Sequence, residues 1–294
     1  MIFIEIKGGQ GNQMFQYSLG RYLSIKEDTK LYFETRYFGK KSERGFALGK
    51  FNTIGNRPKG FLNYIINHTM GKPIVRNFLD KINYCRCYFE PEGFDNTIMN
   101  LPEGHKYFSG YWANAGYFNE IRDVLKKDFT LRESVSTNTK IWEERIVDSD
   151  EPTVSLHIRR GDYINVEANR KIFKILPLEY YKLSINELVD KYKKISVFIF
   201  SNDLEWAKKN FKNDDSNVNY NFVDANDEAH GYEDMYLMWK CQHHIIANST
   251  FSWWGAYLAE KEGMTFAPSK WFNPECGLHD TSDSYPEDWN VVEV

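Results

Sequence analysis

VSLHIRRGDY, residues 154–163, decides the fold because a strand pattern passes directly into a cluster of charges. The apolar residues Val154, Leu156 and Ile158 alternate with polar ones, which is the period of a β-strand. Residues 159–162 then bring two arginines, a glycine and an aspartate to the end of that strand. Two guanidinium groups at this position either bind an anion or form ordinary surface charge.

The sequence after this strand alternates regularly between short apolar runs and amphipathic segments. Strands are predicted at 153–159, 196–201, 220–223, 243–247 and 264–267, and helices at 177–193, 204–211, 232–241 and 251–262. Strands that alternate with helices of this length indicate βαβ units and a parallel sheet, so the fold class is α/β. Ligands of such sheets bind beyond the carboxyl ends of the strands, where His157–Asp162 would lie.

The N-terminal half gives a similar but weaker pattern. Strands are predicted at 2–6, 30–34 and 106–112, and helices at 12–27 and 114–129. Residues 35–105 show little beyond a helix around Ile74–Leu79. The polar stretch 133–152 ends in proline, so we predict domains 1–150 and 151–294, with the last residues packing back on the N-terminal domain.

Composition limits the classes of function. The chain has 294 residues, 42% hydrophobic and 27% charged, which is typical of a globular protein. Its formal net charge of -4 disfavours nucleic acid as the main partner. There is no signal-peptide pattern and no apolar run long enough to span a membrane, and the 4 cysteines are too sparse for a disulfide framework. We therefore expect a cytoplasmic protein, with peripheral contact at the inner face of the membrane.

Three glycines and three amide side chains follow the first predicted strand, in GGQGNQ at residues 8–13. Glycine lets the backbone approach a ligand, and the N-terminus of the next helix favours anions. The loop lacks the third glycine of the dinucleotide fingerprint, and a plain tight turn explains it equally well. The candidate ligand contacts are Gly9, Gln10, Gly11 and Asn12.

Two further predicted strands also end in polar residues. Asn202 and Asp203 follow the strand at 196–201, where they can cap the next helix or bind a base or ribose. The stretch ANSTFSWW, residues 247–254, places small hydroxyls before a helix N-terminus, which suits phosphate. The candidates there are Asn248, Ser249, Thr250 and Ser252, whereas the two tryptophans are predicted to be core.

No metal site is predicted. Asp148-Ser149-Asp150 has the Asp-x-Asp spacing of some sugar transferases, but it lies in the polar stretch before a proline and is interpreted as a solvated linker. No cluster of histidine, cysteine and carboxylate has metal spacing, and no P-loop or Gly-x-Ser-x-Gly motif is present. We therefore expect no metal and no cofactor.

Taken together, four stretches resemble a known family. GGQGNQMFQYSLGRYL, HIRRGDY, FSNDLEWAK and ANSTFSWWGAYLA occur in the order found in the α-1,2-fucosyltransferases of glycosyltransferase family 11. The resemblance extends from Met1 to about Trp271 and is weakest across residues 35–105. It implies a GT-B-like architecture, with two Rossmann-like domains whose parallel sheets face each other across a cleft.

The resemblance also implies a chemistry and a set of residues. L-Fucose would pass from GDP-β-L-fucose to the 2-hydroxyl of a galactose-terminated oligosaccharide, with inversion and without a metal. His157 and Arg159 match the His-x-Arg-Arg motif, and Arg159, with Arg160 beside it, would meet the diphosphate. Asn202 and Asp203 would lie near the guanosine, Asn248 to Ser252 near phosphate, and Asn12 with its neighbours would reach the donor from the other domain.

The general base stays open at this stage. Asp162 is the first candidate and Glu167 the second, although Asp162 is equally well explained as a partner of Arg160. Two rival functions also remain: a GDP-fucose-dependent transferase with another acceptor or linkage, and a non-catalytic protein that binds a GDP-sugar or glycan.

Overall fold

The computed structural model describes residues 1–39, 45–56, 72–212, 216–278 and 284–294. The chain forms two compact units, Met1–Glu133 and Ser134–Val294. The division therefore lies earlier in the chain than the boundary at residue 150 predicted from sequence. In the described part, no helix is both long and apolar enough to cross a membrane.

The first unit is built on a four-stranded parallel sheet with the order β2-β1-β4-β3. Its strands are β1 (Ile2–Glu5), β2 (Leu31–Glu34), β3 (Cys85–Phe89) and β4 (His105–Ser109). The helices in the described part of this unit are α1 (Gln10–Lys26), α2 (Pro73–Lys81) and α3 (Arg122–Asp128). Ile2 and Ile4 of the central strand are fully buried, which places the core around β1.

Two predictions for this unit are wrong. The predicted helix 114–129 is instead two short 3-10 turns followed by α3, because the Asn114 side chain accepts a hydrogen bond from the Gly116 N–H and starts a tight turn. The predicted strand 106–112 ends at Ser109, since Gly110 and Trp112 both have positive φ. Strand β3 was missed because the alternation in its sequence, CRCYF, covers only three residues, too few to predict a strand.

The second unit contains a six-stranded sheet with the order β10-β9-β8-β5-β6-β7, all neighbours parallel. Its strands are β5 (Thr153–Ile158), β6 (Ile195–Ser201), β7 (Val218–Phe222), β8 (His243–Ile245), β9 (Thr265–Pro268) and β10 (Asn290–Val292). Its α-helices are α4 (Thr137–Val147), α5 (Gly161–Asn165), α6 (Glu167–Ile172), α7 (Leu178–Tyr192), α8 (Leu204–Asn210), α9 (Gly231–Lys240) and α10 (Thr250–Tyr257). The last residues form β10 beside β9, so they complete this sheet, whereas the sequence suggested packing on the N-terminal domain.

This strand order fixes where a ligand can bind. Counted along the second unit, the strands run 3-2-1-4-5-6, the order of a Rossmann sheet. The connections leave β5 and β8 in opposite directions, so a crevice opens beyond the carboxyl ends of these two adjacent strands. The residues that follow β5 and β8 are therefore the first place to look for a site.

Helices cover both faces of this sheet. All six residues of β5 are buried, and Val154, Leu156 and Ile158 pack in one cluster with residues of α7 such as Tyr180 and Leu188. On the opposite face, Phe198 and Phe200 of β6 pack with residues of α4 and α9. A strand buried on both faces is what a parallel sheet requires.

Helix α4 explains the position of the domain boundary. Trp142 and Ile146 of α4 are buried against the second sheet. The Glu233 carboxylate of α9 accepts hydrogen bonds from the Ser136 N–H (3.0 Å) and the Thr139 hydroxyl (2.6 Å) at the start of α4. The polar stretch interpreted as a linker thus contains a helix that belongs to the second unit.

A half-buried carboxyl next to this contact, that of Asp234, makes stability depend on pH. Burial, and to a lesser extent the negative charges of Glu233 and Asp227, raise the pKa of Asp234 to about 7, although Asn226 donates a 2.7 Å hydrogen bond to Oδ1. A group whose pKa is higher in the folded than in the unfolded state stabilises the fold at low pH. This contribution is complete below about pH 4 and is lost as the pH rises through about 7.

We predict that Asp234→Asn stabilises the protein relative to wild type at pH 8 and not at pH 4. The difference should be roughly 2–4 kcal/mol at 1.36 kcal/mol per pKa unit, since asparagine keeps the acceptor for Asn226 and carries no charge. Urea unfolding at the two pH values measures it. Asp224→Asn, an exposed position in the loop that carries Asn226, is the matched control. Parallel stability curves for Asp234→Asn and wild type between pH 4 and pH 8 would contradict the assignment.

Candidate functional site

The structure brings the ends of β5, β6 and β8 together through side-chain hydrogen bonds. Tyr163 of α5 donates from its hydroxyl to the carbonyl of Asn248, which links the loop after β5 to the loop after β8 (3.0 Å). Asn202, which follows β6, bonds to residues 160–162. The three polar loops predicted from sequence are therefore connected to one another at the carboxyl end of the six-stranded sheet.

Arg159 is held by Asp162. Its Nη2 lies 2.8 Å from Asp162 Oδ2, and its guanidinium lies 5.7 Å from the centre of the Tyr163 ring. The Arg159 side chain remains 21% exposed, so part of the guanidinium faces solvent. A partly exposed guanidinium with one fixed edge is well suited to offer its other donors to an anion.

Both carboxylate oxygens of Asp162 have partners. Oδ2 accepts from Arg159, and Oδ1 accepts from the Asn202 side-chain amide at 3.1 Å. The Asn169 amide lies a further 3.5 Å from Oδ2. Asp162 thus braces Arg159, whereas the sequence suggested Arg160 as its partner.

Arg160 points to a different set of partners. Its guanidinium stacks over the Trp206 ring at 4.1 Å, and its Nε lies 3.6 Å from Asp203 Oδ2. This buried Nε has no hydrogen-bond partner in the part of the chain that the structure covers. The two arginines therefore have different anchors, Asp162 for Arg159, and Trp206 with Asp203 for Arg160.

Asn202 determines the shape of the turn that carries both arginines. Its Oδ1 accepts from the backbone N–H groups of Arg160 (2.9 Å) and Gly161 (3.2 Å). A Cβ at position 161 would lie 2.9 Å from Asn202 Nδ2, so this turn has no room for a larger residue. The glycine in Arg-Arg-Gly-Asp is therefore explained by the close approach of Asn202.

Asp203 has the capping role that the sequence allowed. Its Oδ1 accepts from the Trp206 N–H at 3.2 Å and begins α8. It also faces Arg160 from across the turn. One carboxylate therefore orders the helix start and the second arginine.

His157 lies near the carboxyl end of the central strand β5 and has a neutral imidazole. It is buried, with its ring 5.4 Å from that of Phe251. Burial, with a smaller contribution from the Arg159 charge, lowers its pKa to about 3. Its buried Nδ1 has no hydrogen-bond partner among the described residues. An unpaired buried nitrogen beside a guanidinium is a polar group that a ligand could satisfy.

In the loop after β8, two of the predicted contacts face inward. The Asn248 side-chain amide donates to the carbonyls of Lys174 and Trp271, each at 2.8 Å. The Ser252 hydroxyl is buried, accepts from the Ala247 N–H at 3.2 Å and lies near the Ser249 carbonyl. These two side chains shape the loop, and their polar groups are directed into the protein.

The other two predicted contacts, Ser249 and Thr250, lie at the start of α10. The Ser249 side chain makes no capping hydrogen bond, and Thr250 is the first helical residue. The first backbone N–H groups of a helix lack partners within that helix. The tryptophans of the same helix are fully buried and pack on Tyr257, as the sequence indicated.

Glu167 lies apart from this arrangement. Its side chain is 71% exposed on α6 and forms an ion pair with Lys171 at 2.7 Å. Such an exposed pair is typical of a solvated helix surface. The structure therefore does not bring Glu167 to the loop edge.

In the first unit, the loop after β1 is ordered by amides. Gly9 is the residue before α1, so Gln10, Gly11 and Asn12 lie in its first turn. The buried side chain of Gln13 donates to the Gly8 carbonyl at 3.0 Å and accepts from the Ala47 N–H at 2.8 Å. The amides that replace the third glycine of the dinucleotide fingerprint thus have a structural role in this loop.

Sequence reasoning missed the aromatic partners of the arginines. Tyr163 and Trp206 lie one turn or less from the charged motifs, and a search for polar groups ignores them. The signal available was their spacing: Trp206 follows Asp203 by three residues, which is the distance from a helix cap to its first bonded N–H. Of the residues described, no group of three histidine, cysteine or carboxylate side chains could hold a metal ion.

Two known proteins illustrate what this chain is similar to in sequence. An alpha-1,2-colitosyltransferase of Escherichia coli is 35% identical over 304 aligned residues, which cover 100% of this chain and 99% of that protein. Human galactoside alpha-(1,2)-fucosyltransferase 1 is 28% identical over 156 residues, which cover 51% of this chain and 42% of that protein.

The architecture has solved counterparts. A mutant of Arabidopsis thaliana FUT1, solved in complex with GDP, matches 90% of this chain and 69% of its own with a TM-score of 0.55 at 11% identity. This likeness, with the two parallel sheets, confirms the predicted GT-B-like α/β fold class with two Rossmann-like domains. Residues 4–293 match Glycosyl transferase family 11. Because that match spans nearly the whole sequence, this chain belongs to glycosyl transferase family 11 and is a glycosyltransferase.

Proposed function

We propose that this enzyme transfers L-fucose from GDP-β-L-fucose to the 2-hydroxyl of a terminal β-galactoside, with inversion and without a metal. The observation that carries the proposal is Arg159, a partly exposed guanidinium braced by Asp162 beyond the end of β5, next to β8. In Rossmann sheets of this order, nucleotides bind beyond the adjacent ends of these strands. The diphosphate of GDP would meet Arg159 there.

The chemistry needs a fixed positive charge at this position. When the sugar–phosphate bond breaks, positive charge develops on the sugar and negative charge on the departing GDP. Donors that are already oriented stabilise this change without reorganising. Arg159 is oriented by its ion pair with Asp162, and the first backbone N–H groups of α10 would add donors.

The two arginines would have different roles. Arg160 is stacked on Trp206 and faces Asp203, so we assign it to holding the loop after β6 near the nucleoside. Asp162 has both oxygens engaged, and its proposed role is to position Arg159. Neither Asp162 nor the exposed Glu167 is retained as the general base.

The names of two relatives support the proposed linkage. The Escherichia coli colitosyltransferase and the human fucosyltransferase both have α-1,2 linkage in their names, and the human name specifies a galactoside. Colitose is L-fucose without the hydroxyl at carbon 3. Transfer of colitose is therefore the second candidate, favoured by a relative that aligns along the whole chain.

We predict that Arg159→Ala lowers kcat by roughly 10²–10³-fold, the usual loss when one donor to a developing oxyanion is removed. Arg159→Lys should recover little, since an ammonium cannot replace the bidentate fork. Initial rates with GDP-fucose and lactose measure this, with circular dichroism to verify folding. Arg170→Ala, an exposed arginine on α6, is the control. Turnover of Arg159→Ala at the wild-type rate would exclude the diphosphate role.

We predict that Asp162→Asn weakens GDP binding and lowers kcat while the acidic limb of the pH–rate profile persists, because a brace does not accept the substrate proton. Glu167→Gln should change neither quantity. Calorimetric titration of GDP and rates between pH 5 and pH 9 test both variants. Loss of the acidic limb with unchanged GDP affinity would instead identify the substituted carboxylate as the base.

We predict that, among GDP-fucose, GDP-colitose and GDP-mannose, GDP-fucose gives the highest kcat/KM with a β-galactoside acceptor. A site that hydrogen-bonds the 3-hydroxyl discriminates strongly against a sugar that lacks it. NMR of the product should show an α-1,2 link to galactose. A preference for GDP-colitose would establish the second candidate. Tight GDP binding without turnover on any acceptor would mean a binding protein.

A further inference from the structure

Helix α2 exposes a continuous apolar stripe. Ile74, Phe78 and Ile82 follow each other at intervals of four residues, which places them on one face, and they are 84%, 59% and 53% exposed. Leu79, on the adjacent face, packs against the cluster of Phe3, Cys85 and Tyr107. The first unit therefore packs against only one part of the apolar side of α2 and leaves the other part exposed.

The fold does not explain this stripe. None of the nine residues of α2 is fully buried. Isolated helices of this length are unstable in water, and a surface helix normally depends on burying its apolar face. Among the residues that the structure describes, none covers this stripe.

Large exposed hydrophobic side chains are concentrated here. In the described part of the chain, Tyr84, which precedes the edge strand β3, and Phe89 at its end are also 57% and 54% exposed. Single exposed apolar residues are normal, whereas a contiguous group marks an interaction surface. We call residues 72–89, which comprise α2 and β3, the α2–β3 surface.

The same surface is positively charged. It carries Lys72, Arg76 and Lys81 against a single acid, Asp80, in a chain whose net charge is -4. Arg86 alternates with the buried Cys85 of β3 and therefore points to the opposite face of the sheet from α2. The Arg76 guanidinium lies 4.9 Å from the centre of the Phe89 ring, so charge and aromatic surface are side by side. An apolar stripe flanked by lysine and arginine is the pattern of helices that lie in a membrane interface.

We propose that the α2–β3 surface binds the surface of a membrane that contains anionic phospholipids, with Ile74, Phe78 and Ile82 inserted among the acyl chains and the basic residues at the headgroups. Charge decides between this partner and a second copy of the chain. Two copies meeting through this surface would bring like charges together, whereas an anionic bilayer complements them. The proposal is independent of which sugar the enzyme transfers.

Sedimentation with vesicles tests the proposal on the full chain. We expect binding to vesicles of phosphatidylcholine and phosphatidylglycerol in equal parts, and at least roughly tenfold weaker binding for Phe78→Gln, which removes an inserted ring. Leu183→Gln, at a comparably exposed position on α7, is the matched control and should bind like wild type. Thermal melts establish that both variants are folded.

The charge contribution is tested separately. Lys72→Gln and Lys81→Gln should each weaken binding to the anionic vesicles roughly fivefold. Added salt should reduce the difference in vesicle affinity between wild type and each of these variants. Failure of wild type to sediment with anionic vesicles at low salt, or equal binding of wild type and Phe78→Gln, would overturn the proposal. Dimerisation of wild type that Phe78→Gln abolishes, without vesicle binding, would assign the surface to a second copy and also overturn it.

Discussion

The site depends on the ion pair between Arg159 and Asp162, and on the amide of Asn202 that completes it. One oxygen of Asp162 accepts from the Arg159 guanidinium, and the other accepts from the Asn202 side-chain amide. The Asn202 side-chain oxygen also accepts from the backbone N–H groups of Arg160 and Gly161. The end of β5 is thereby tied to the end of β6. A partly exposed ion pair stabilises a fold little by itself. Its importance here is geometric, because it sets the direction of a charged donor at the crevice of a Rossmann sheet.

The residues around Arg159 leave its guanidinium as a partly exposed positive charge in this turn. His157 is neutral because of its burial, so it adds no positive charge beside Arg159. Arg160 is occupied with Trp206 and Asp203. Tyr163 binds the Asn248 carbonyl and stacks on Phe173 at 4.3 Å, which fixes the loop after β8 relative to the same turn. Our proposal assigns the diphosphate to this oriented guanidinium and to the first N–H groups of α10, with a neutral imidazole beside them.

Much of the second unit could be predicted because the buried strands of a parallel sheet are short apolar runs that alternate with amphipathic helices in the sequence. Strand β5 is buried throughout, and the charged residues Arg159, Arg160 and Asp162 follow directly where the strand ends. Side-chain direction in the loops was beyond the sequence: Asn248 and Ser252 have the residue types of ligand contacts, yet they bond to carbonyl and N–H groups inside the protein. Helix α4 was missed because Thr139, Trp142 and Ile146 are its only fully buried residues, too few to mark a helical face within a polar stretch. The strand β3 and the exposed stripe of α2 were obscure for a related reason, since neither follows the rule that apolar residues are buried.

A crystal structure with GDP tests the central claim most directly, because it shows which groups meet the diphosphate. The account predicts the diphosphate beyond the adjacent ends of β5 and β8, with its oxygens within hydrogen-bond distance of Arg159 and of the first N–H groups of α10, while Asp162 still holds Arg159. A diphosphate bound elsewhere in the second unit, or one bound by Arg160 with Arg159 turned away, would contradict it.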